Sequence, residues 1–532
     1  DFPVRKDKRA VHSHGYQLSI RNVARYNIDM FVTINTVLEQ GNEMRKLFFI
    51  VGFPVITGLV LICVGFSALA FGGVDEHYWP QWRGPNFDGV APSGDPPIEW
   101  SETKNIAWKV EIPGSGFATP VIWEDSIFIL SAVPVTNGGP PEAFSSVAVN
   151  NHALESTTGS AKHPNTAIAS ATLMPPTKQR GQRQRRGRRQ AEPLQAMDFT
   201  VMAISRTDGS LIWSDVARHE TPHEGKQVNN SWASSSAITD GEHVFAFFGS
   251  RGLYAYDMEG NPQWNVDFGD MRIRNGFGEG TSPALHEGTL VIVWDHQGDS
   301  FIVALDKNTG RELWRQPRDE PESWATPLVV EFDGRAQVIT AGENRTHSYD
   351  LETGDLVWQG PGLTVNPIPS PVEADGVVYM TSGYRGEALR AVSLADAKGD
   401  IGDSPAILWE YNHDTPYVPS PLLYDGILYF LKSNSPILTA FDVTSGQAYY
   451  GPQRLDGLQE IYSSPVGAAG HVYLLGRDGG ALVISNTGKY EVLAKNSLDD
   501  GFEASPAIVG DELYLRGRRF LYRVQEIGEP DS

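Results

Sequence analysis

The sequence predicts an all-β fold, an eight-bladed propeller of four-stranded antiparallel blades closed by a strand from near its N-terminus. Three observations carry this. A Ser/Thr-Pro pair opening a strand recurs about every 44 residues. A Gly-x-x-x-aromatic phrase closes most of the units it opens. The composition, with 54 glycines and 35 prolines among 532 residues, suits many short strands joined by turns and is far too rich in turn-formers for a helical bundle.

The chain begins with segments outside this period. Residues 1–43 carry no apolar periodicity and read as a non-structural upstream extension. Residues 44–70 open with Met44-Arg45-Lys46, run through an uncharged stretch from Leu47 to Ala70, and end on Ala68-Leu69-Ala70. A basic start, an apolar middle and small residues at the end make a cleavable secretory signal. The stretch is also long enough for an uncleaved anchor across a hydrocarbon layer of about 30 Å, which leaves a membrane tether through 47–70 open. Cys63, the one cysteine, lies inside it after Ile62, without the pattern of a lipid-attachment site. The exported part then has no disulfide, no cysteine metal site and no c-type haem.

Residues 71–104 form a lead-in, and the repeats run from 105 to 524. The strand starts are Thr119-Pro120, Ser235-Ser236, Ser282-Pro283, Thr326-Pro327, Ser370-Pro371, Ser420-Pro421, Ser464-Pro465 and Ser505-Pro506. Each leads through a turn such as Asp240-Gly241, Asp375-Gly376 or Asp425-Gly426 into an apolar strand, which is hairpin grammar. The closing phrase reads AISRTDGSLIW at 203–213, AYDMEGNPQW at 255–264, ALDKNTGRELW at 304–314, SYDLETGDLVW at 348–358 and AFDVTSGQAYY at 440–450. A turn needing positive φ at its glycine aims the aromatic of the outermost strand at the neighbouring unit. Trp213, Trp264, Trp314, Trp358 and Trp409 are the expected interblade anchors, joined by Trp108. The eighth unit stops before any such phrase, and an unattached copy, Asn105 to Val110, precedes the first start. That segment should complete the last blade and leave no open sheet edge.

Two stretches interrupt the period. Residues 137–196 include KQRGQRQRRGRRQ at 178–190, seven basic residues with no acidic one, and read as a disordered surface insertion. It is either a contact for an anionic surface or a solvated tolerated loop. Residues 396–405 read as an ordinary lengthened turn, and 525–532 as a tail.

The A-x-D-x-x-T-G-x-x-x-W phrase resembles the pyrroloquinoline quinone (PQQ) repeat of secreted bacterial quinoprotein-type propellers. Trp79-Pro80-Gln81-Trp82-Arg83-Gly84-Pro85 resembles the opening of many PQQ-like propellers. The resemblance implies two functions. One is a non-catalytic binding or scaffold propeller of the periplasm or cell envelope, working with an envelope protein or a small polar ligand. The other is a PQQ- and calcium-dependent periplasmic dehydrogenase. The family's adjacent Cys-Cys pair is missing here, and no local motif matches its Glu/Asn/Asp calcium set residue by residue. This favours the first reading, with no certain cofactor and a monomeric ring. A net charge of −22 argues against nucleic acid as partner.

Candidate ligand-binding side chains come from loops that would share one mouth of the ring. Arg274 and Glu279 lie on a glycine-rich loop, Asp295 and His296 on the next, and Arg345 and Arg385 on later ones. A carboxylate and an imidazole can hold a proton or a metal, and guanidinium groups can grip a carboxylate. The expected site is the mouth formed by 272–280 and 295–299.

Overall fold

In a computed structural model, residues 78–135, 146–147 and 194–528 are described. The upstream extension, the signal or anchor, the basic tract 178–190, most of the insertion and the last residues of the tail lie outside them. Among the described residues no helix is long and apolar enough to cross a membrane.

Among the described residues the sheets are eight, and in chain order they are the blades of the ring. Blade 2 shows the common plan: Ile238–Thr239, His243–Phe247, Leu253–Asp257 and Pro262–Val266, each strand antiparallel to the next. The two middle strands are nearly all buried, because each is covered on both faces by neighbouring blades. The innermost strands are only two to five residues long, as convergence on an axis requires. The Asp375-Gly376 and Asp425-Gly426 turns between first and second strands have positive φ at both residues, 53° and 76° at the former, which suits the right-handed twist of the hairpin; at Asp240-Gly241 only the glycine does.

Closure is made as the sequence predicts. Blade 8 consists of Ala507–Val509, Glu512–Arg516 and Phe520–Gln525, with Ile106–Glu111 as its fourth strand, Val110 opposite Leu521. The two-residue strand Ser146–Val147 adds a fifth at its edge.

Two devices repeat around the ring. On the outside, each tryptophan lies over the turn glycine of the next blade: Trp108 over Gly209, Trp213 over Gly260, Trp264 over Gly310, Trp314 over Gly354 and Trp409 over Gly446. A Cβ on Gly260 would stand 2.5 Å from the Trp213 ring, so the glycine serves close approach as well as its φ of 87°. Each indole N–H donates to a carbonyl of the same turn, as from Trp314 to Leu351 O at 2.8 Å. Trp358 differs. Residues 396–405 replace the blade 5 turn, and instead of an ordinary loop they lay Gly399–Asp400 parallel against Trp358–Gln359. Ala397 and Ile401 are buried in the same cluster as Trp358, whose indole N–H has no partner. Apolar packing holds this tryptophan where polar capping holds the others.

On the inside, the Ser/Thr of each strand start forms a hydroxyl ring. From Thr119 through Ser236, Ser282, Thr326, Ser370, Ser420 and Ser464, each backbone N–H donates to the hydroxyl of the next start at 2.8–3.2 Å, ending on Ser505. The chain of bonds stops at the closing junction, where the Thr119 hydroxyl is buried without a partner.

The lead-in crosses one end of the ring. Tyr78–Trp79 pairs with the innermost strand of blade 1, Gly89 and Ala91 hydrogen-bond Gly467 of blade 7, and Trp100 reaches Asn496. Between them, the buried Arg83 guanidinium donates to Pro465 O at 2.6 Å, Pro421 O at 2.7 Å and Asp88 O at 2.9 Å.

Candidate functional site

A deep concavity lies on the axis of the ring, lined by residues from all eight blade junctions. It encloses about 1000 Å³ counting its open mouth. Its floor is Trp82, whose indole N–H donates to Ser370 Oγ at 3.1 Å. Above the floor stand hydroxyls of the inner ring, from Ser282 through Ser505. The next layer comes from the residue two before each Ser/Thr of the strand starts, so one position of the repeat supplies the whole wall. Phe117, Trp324, Ile368, Val418 and Tyr462 make its apolar part; Ser234, Gly280 and Glu503 make the rest. Gln227, Asn229 and Asn230 line the mouth together with Phe277, Glu279 and Tyr417.

The two carboxylates of the wall are both engaged. Glu279 accepts from Ser250 N at 2.7 Å and Ser250 Oγ at 2.5 Å. Burial pushes its carboxyl above the ordinary range, and the Ser250 bonds and Arg251 pull the other way. Gly249 gives it room, since a Cβ there would meet Glu279 Oε2 at 1.7 Å. Glu503 accepts from Arg477 Nε at 3.0 Å and from Arg518.

Of the side chains singled out in the sequence, the structure brings Glu279 to this cavity and places the others elsewhere. Asp295 and Arg318 form a two-pronged pair at 2.8 and 3.0 Å, with both side chains 0% exposed. Asp295 is therefore a buried structural anion and not a base open to a ligand. His296 accepts from Arg272 N at 3.1 Å, and burial lowers its pKa, so it holds the 272–280 loop as a neutral ring. Arg274 pairs with the buried Glu322 at 3.2 Å. Arg345 pairs with Asp400 at the outer edge of blade 4. Arg385 stacks on Tyr384, which stacks in turn on Tyr417, so it touches the wall only through two rings. Of the two loops expected to form the mouth, 272–280 contributes Phe277, Glu279 and Gly280 to the axial cavity, whereas none of 295–299 lines it. The signal for it was the repeat itself, read two residues back from each Ser/Thr-Pro.

A PQQ molecule is a flat tricarboxylate and needs cations. No Lys or Arg is among the residues lining the cavity. The nearby Arg477 and Arg518 are spent on Glu503, so the lining does not suit this cofactor. Two acidic clusters at blade turns, Asp240/Glu242/His243 and His286/Glu287/Glu331, have ligand atoms close enough for a cation. Neither lines the cavity, and Lys307 occupies the first by pairing with Asp240 and Glu242.

Comparison with known proteins places the chain. A family model described as outer membrane protein assembly factor BamB matches residues 250–404 and 298–520. The protein of that name from Francisella tularensis subsp. tularensis (strain SCHU S4 / Schu 4) is 27% identical over 170 residues, 28% of this chain and 35% of that protein. The lanthanide-dependent methanol dehydrogenase of Methylacidiphilum fumariolicum (strain SolV) is 39% identical over 75 residues, 12% of each chain. The chain thus spans well under two thirds of either curated relative. The quinohemoprotein alcohol dehydrogenase of Comamonas testosteroni shares the fold, with a TM-score of 0.51 at 12% identity, covering 87% of this chain and 83% of that one. With matches running from 250 to 520 behind an eight-bladed ring, the chain belongs to the family of PQQ-like repeat propellers whose model is described as outer membrane protein assembly factor BamB.

Proposed function

We propose that this chain is a non-catalytic binding or scaffold propeller of the cell envelope that holds proteins of outer-membrane assembly. One observation carries the reading: the acid–base pair expected to do chemistry is built into the frame outside the cavity lining, with Asp295 locked to Arg318 and both side chains 0% exposed. A buried pair of that kind supports a rigid frame, whereas a catalytic base needs reach to its substrate. The names of the family model and of the Francisella tularensis relative support an envelope address and an assembly partner. The segment 44–70 supplies either export by cleavage or a tether.

The second reading, a PQQ- and calcium-dependent dehydrogenase, is favoured by the 75-residue likeness to the methanol dehydrogenase. The two part in one experiment. Tagged chain is recovered from solubilised envelopes, and the same preparation is assayed for dye-linked alcohol oxidation after adding PQQ with Ca²⁺ or a lanthanide. Co-recovery of outer-membrane assembly proteins without turnover is the expected result. Turnover that appears on reconstitution would overturn the scaffold reading.

A further inference from the structure

We propose that the axial cavity binds a neutral saccharide, one or two sugar rings in size, beneath a strap formed by residues 225–230. Hydrogen-bond accounting on the hydroxyl ring leads here. Ser282, Thr326, Ser370, Ser420, Ser464 and Ser505 each accept a backbone N–H from the preceding blade. None of the six donates its own proton to a protein acceptor among the described residues. The cavity therefore has a crown of O–H donors at its base, all neutral, with one lone pair of each committed to the fold and both on Ser370, which also accepts from Trp82. Higher up, Gln227 and Tyr417 line the space; the amide and the hydroxyl have no protein partner among the described residues and offer acceptors as well as donors.

The walls set the rest of the chemistry. Trp82, Phe117, Trp324, Tyr417 and Tyr462 present aromatic surface, and Trp324 is fixed by donating to Gly278 O at 2.7 Å. A ligand with flat C–H faces and a rim of hydroxyls matches such a site; apolar walls with a few placed polar groups are the usual form of small-molecule pockets. Charge excludes the other candidates. An anion meets no Lys or Arg among the lining residues. A cation gains little, because Glu503 is already held by two arginines and Glu279 by both donors of Ser250. The cavity is open at its mouth, so a ligand of one or two sugar rings can enter with its rim toward solvent.

The strap controls entry. Residues 225–230 leave the connection between blades 1 and 2, and Asn229 Nδ2 donates to Tyr462 Oη at 2.6 Å, a residue 233 positions away between blades 6 and 7. Asn230 anchors the near end on Phe277 O and Glu279 O, at 2.9 and 3.2 Å. Val228 at the tip is 92% exposed. Asn229 thus latches the far side while the near side stays fixed, and Gln227 is carried into the lining by the same turn.

This inference goes beyond the scaffold role and does not depend on it, so an assembly pull-down that failed would leave it standing. The test is titration of the full chain with N-acetylglucosamine and with chitobiose, read by calorimetry and by tryptophan fluorescence. Wild type is expected to bind at least one of them saturably. The double variant Gln227→Ala, Tyr417→Phe should bind it at least tenfold more weakly at unchanged thermal stability. Asn229→Ala should raise the association and dissociation rates together. Failure of folded wild type to bind either saccharide, binding equal in wild type and double variant, or saturable binding of PQQ in place of both sugars would each overturn the proposal.

Discussion

At the scale of single residues, the ring is held by contacts between unlike partners, a large ring on one blade and an absent side chain on the next. Trp314 buries its indole against Gly354 and donates to Leu351 O. Trp314→Ala is expected to cost about 3–5 kcal/mol in chemical denaturation, as large core truncations do. Gly354→Ala should also destabilise, because its φ is 76° and the new Cβ would stand 2.7 Å from the indole. In the double variant the steric part of that cost disappears, so a double-mutant cycle should show coupling of about 1–2 kcal/mol. Additive effects would mean that the pair does not touch in solution. A second residue gives a pH signature. Glu320 is buried beside Arg318, accepts from Asn344 N and Arg345 N, and has its carboxyl pushed up to about 7, chiefly by burial and further by Asp295. The folded state then binds a proton that the unfolded state has released between about pH 4.5 and 7, so this residue's contribution to stability falls as pH rises through that window. His347, buried neutral and lowered to about 3, acts in the opposite sense between about pH 3 and 6.5. Glu320→Gln removes the first term alone. Its stability relative to wild type should rise between pH 5 and 7.5 by at most about 3 kcal/mol; a difference flat with pH would refute the assignment.

At the scale of elements, the lead-in and the closing strand do different work from the blades they join. Arg83 ties the carbonyls of Pro421 and Pro465 together across the floor of the cavity. Arg83→Met keeps much of the side chain's length but leaves those buried acceptors unpaired, and about 3 kcal/mol should be lost. Thermal melts compare two deletions. Removing 71–112 takes away the floor and the fourth strand of blade 8, and it should abolish cooperative unfolding. Excising 140–190 takes away among described residues only the Ser146–Val147 pairing and should leave the transition within a few degrees. Equal melts would mean that closure by Ile106–Glu111 is not what stabilises the ring.

At the scale of the whole molecule, the architecture was legible and the site was not, for one reason. Strand starts, turn glycines and outer aromatics repeat because every blade needs the same junctions, so Ser370-Pro371 and Gly354/Trp358 announce themselves by period. The axial wall is the place where the blades differ. Its residues run Phe117, Ser234, Gly280, Trp324, Ile368, Val418, Tyr462 and Glu503, which no motif describes. Charged loop residues drew the reading instead, and Asp295 looked free because its partner Arg318 lies 23 residues on, in the next connection. The closure carries a consequence in time. Asn105 Oδ1 accepts from Ile527 N, 422 residues away, and the strand beside it is among the earliest parts of the ring to leave a ribosome. At about 5–20 residues per second it waits roughly 20–80 s for its partner to be synthesised. Through that interval Ile106, Trp108 and Val110 belong to an open edge. Refolding in vitro repeats the same wait as a search for one long-range pairing. The last kinetic phase should therefore report on Trp108, and recovered yield should fall as protein concentration rises, since a second copy can offer the missing edge first.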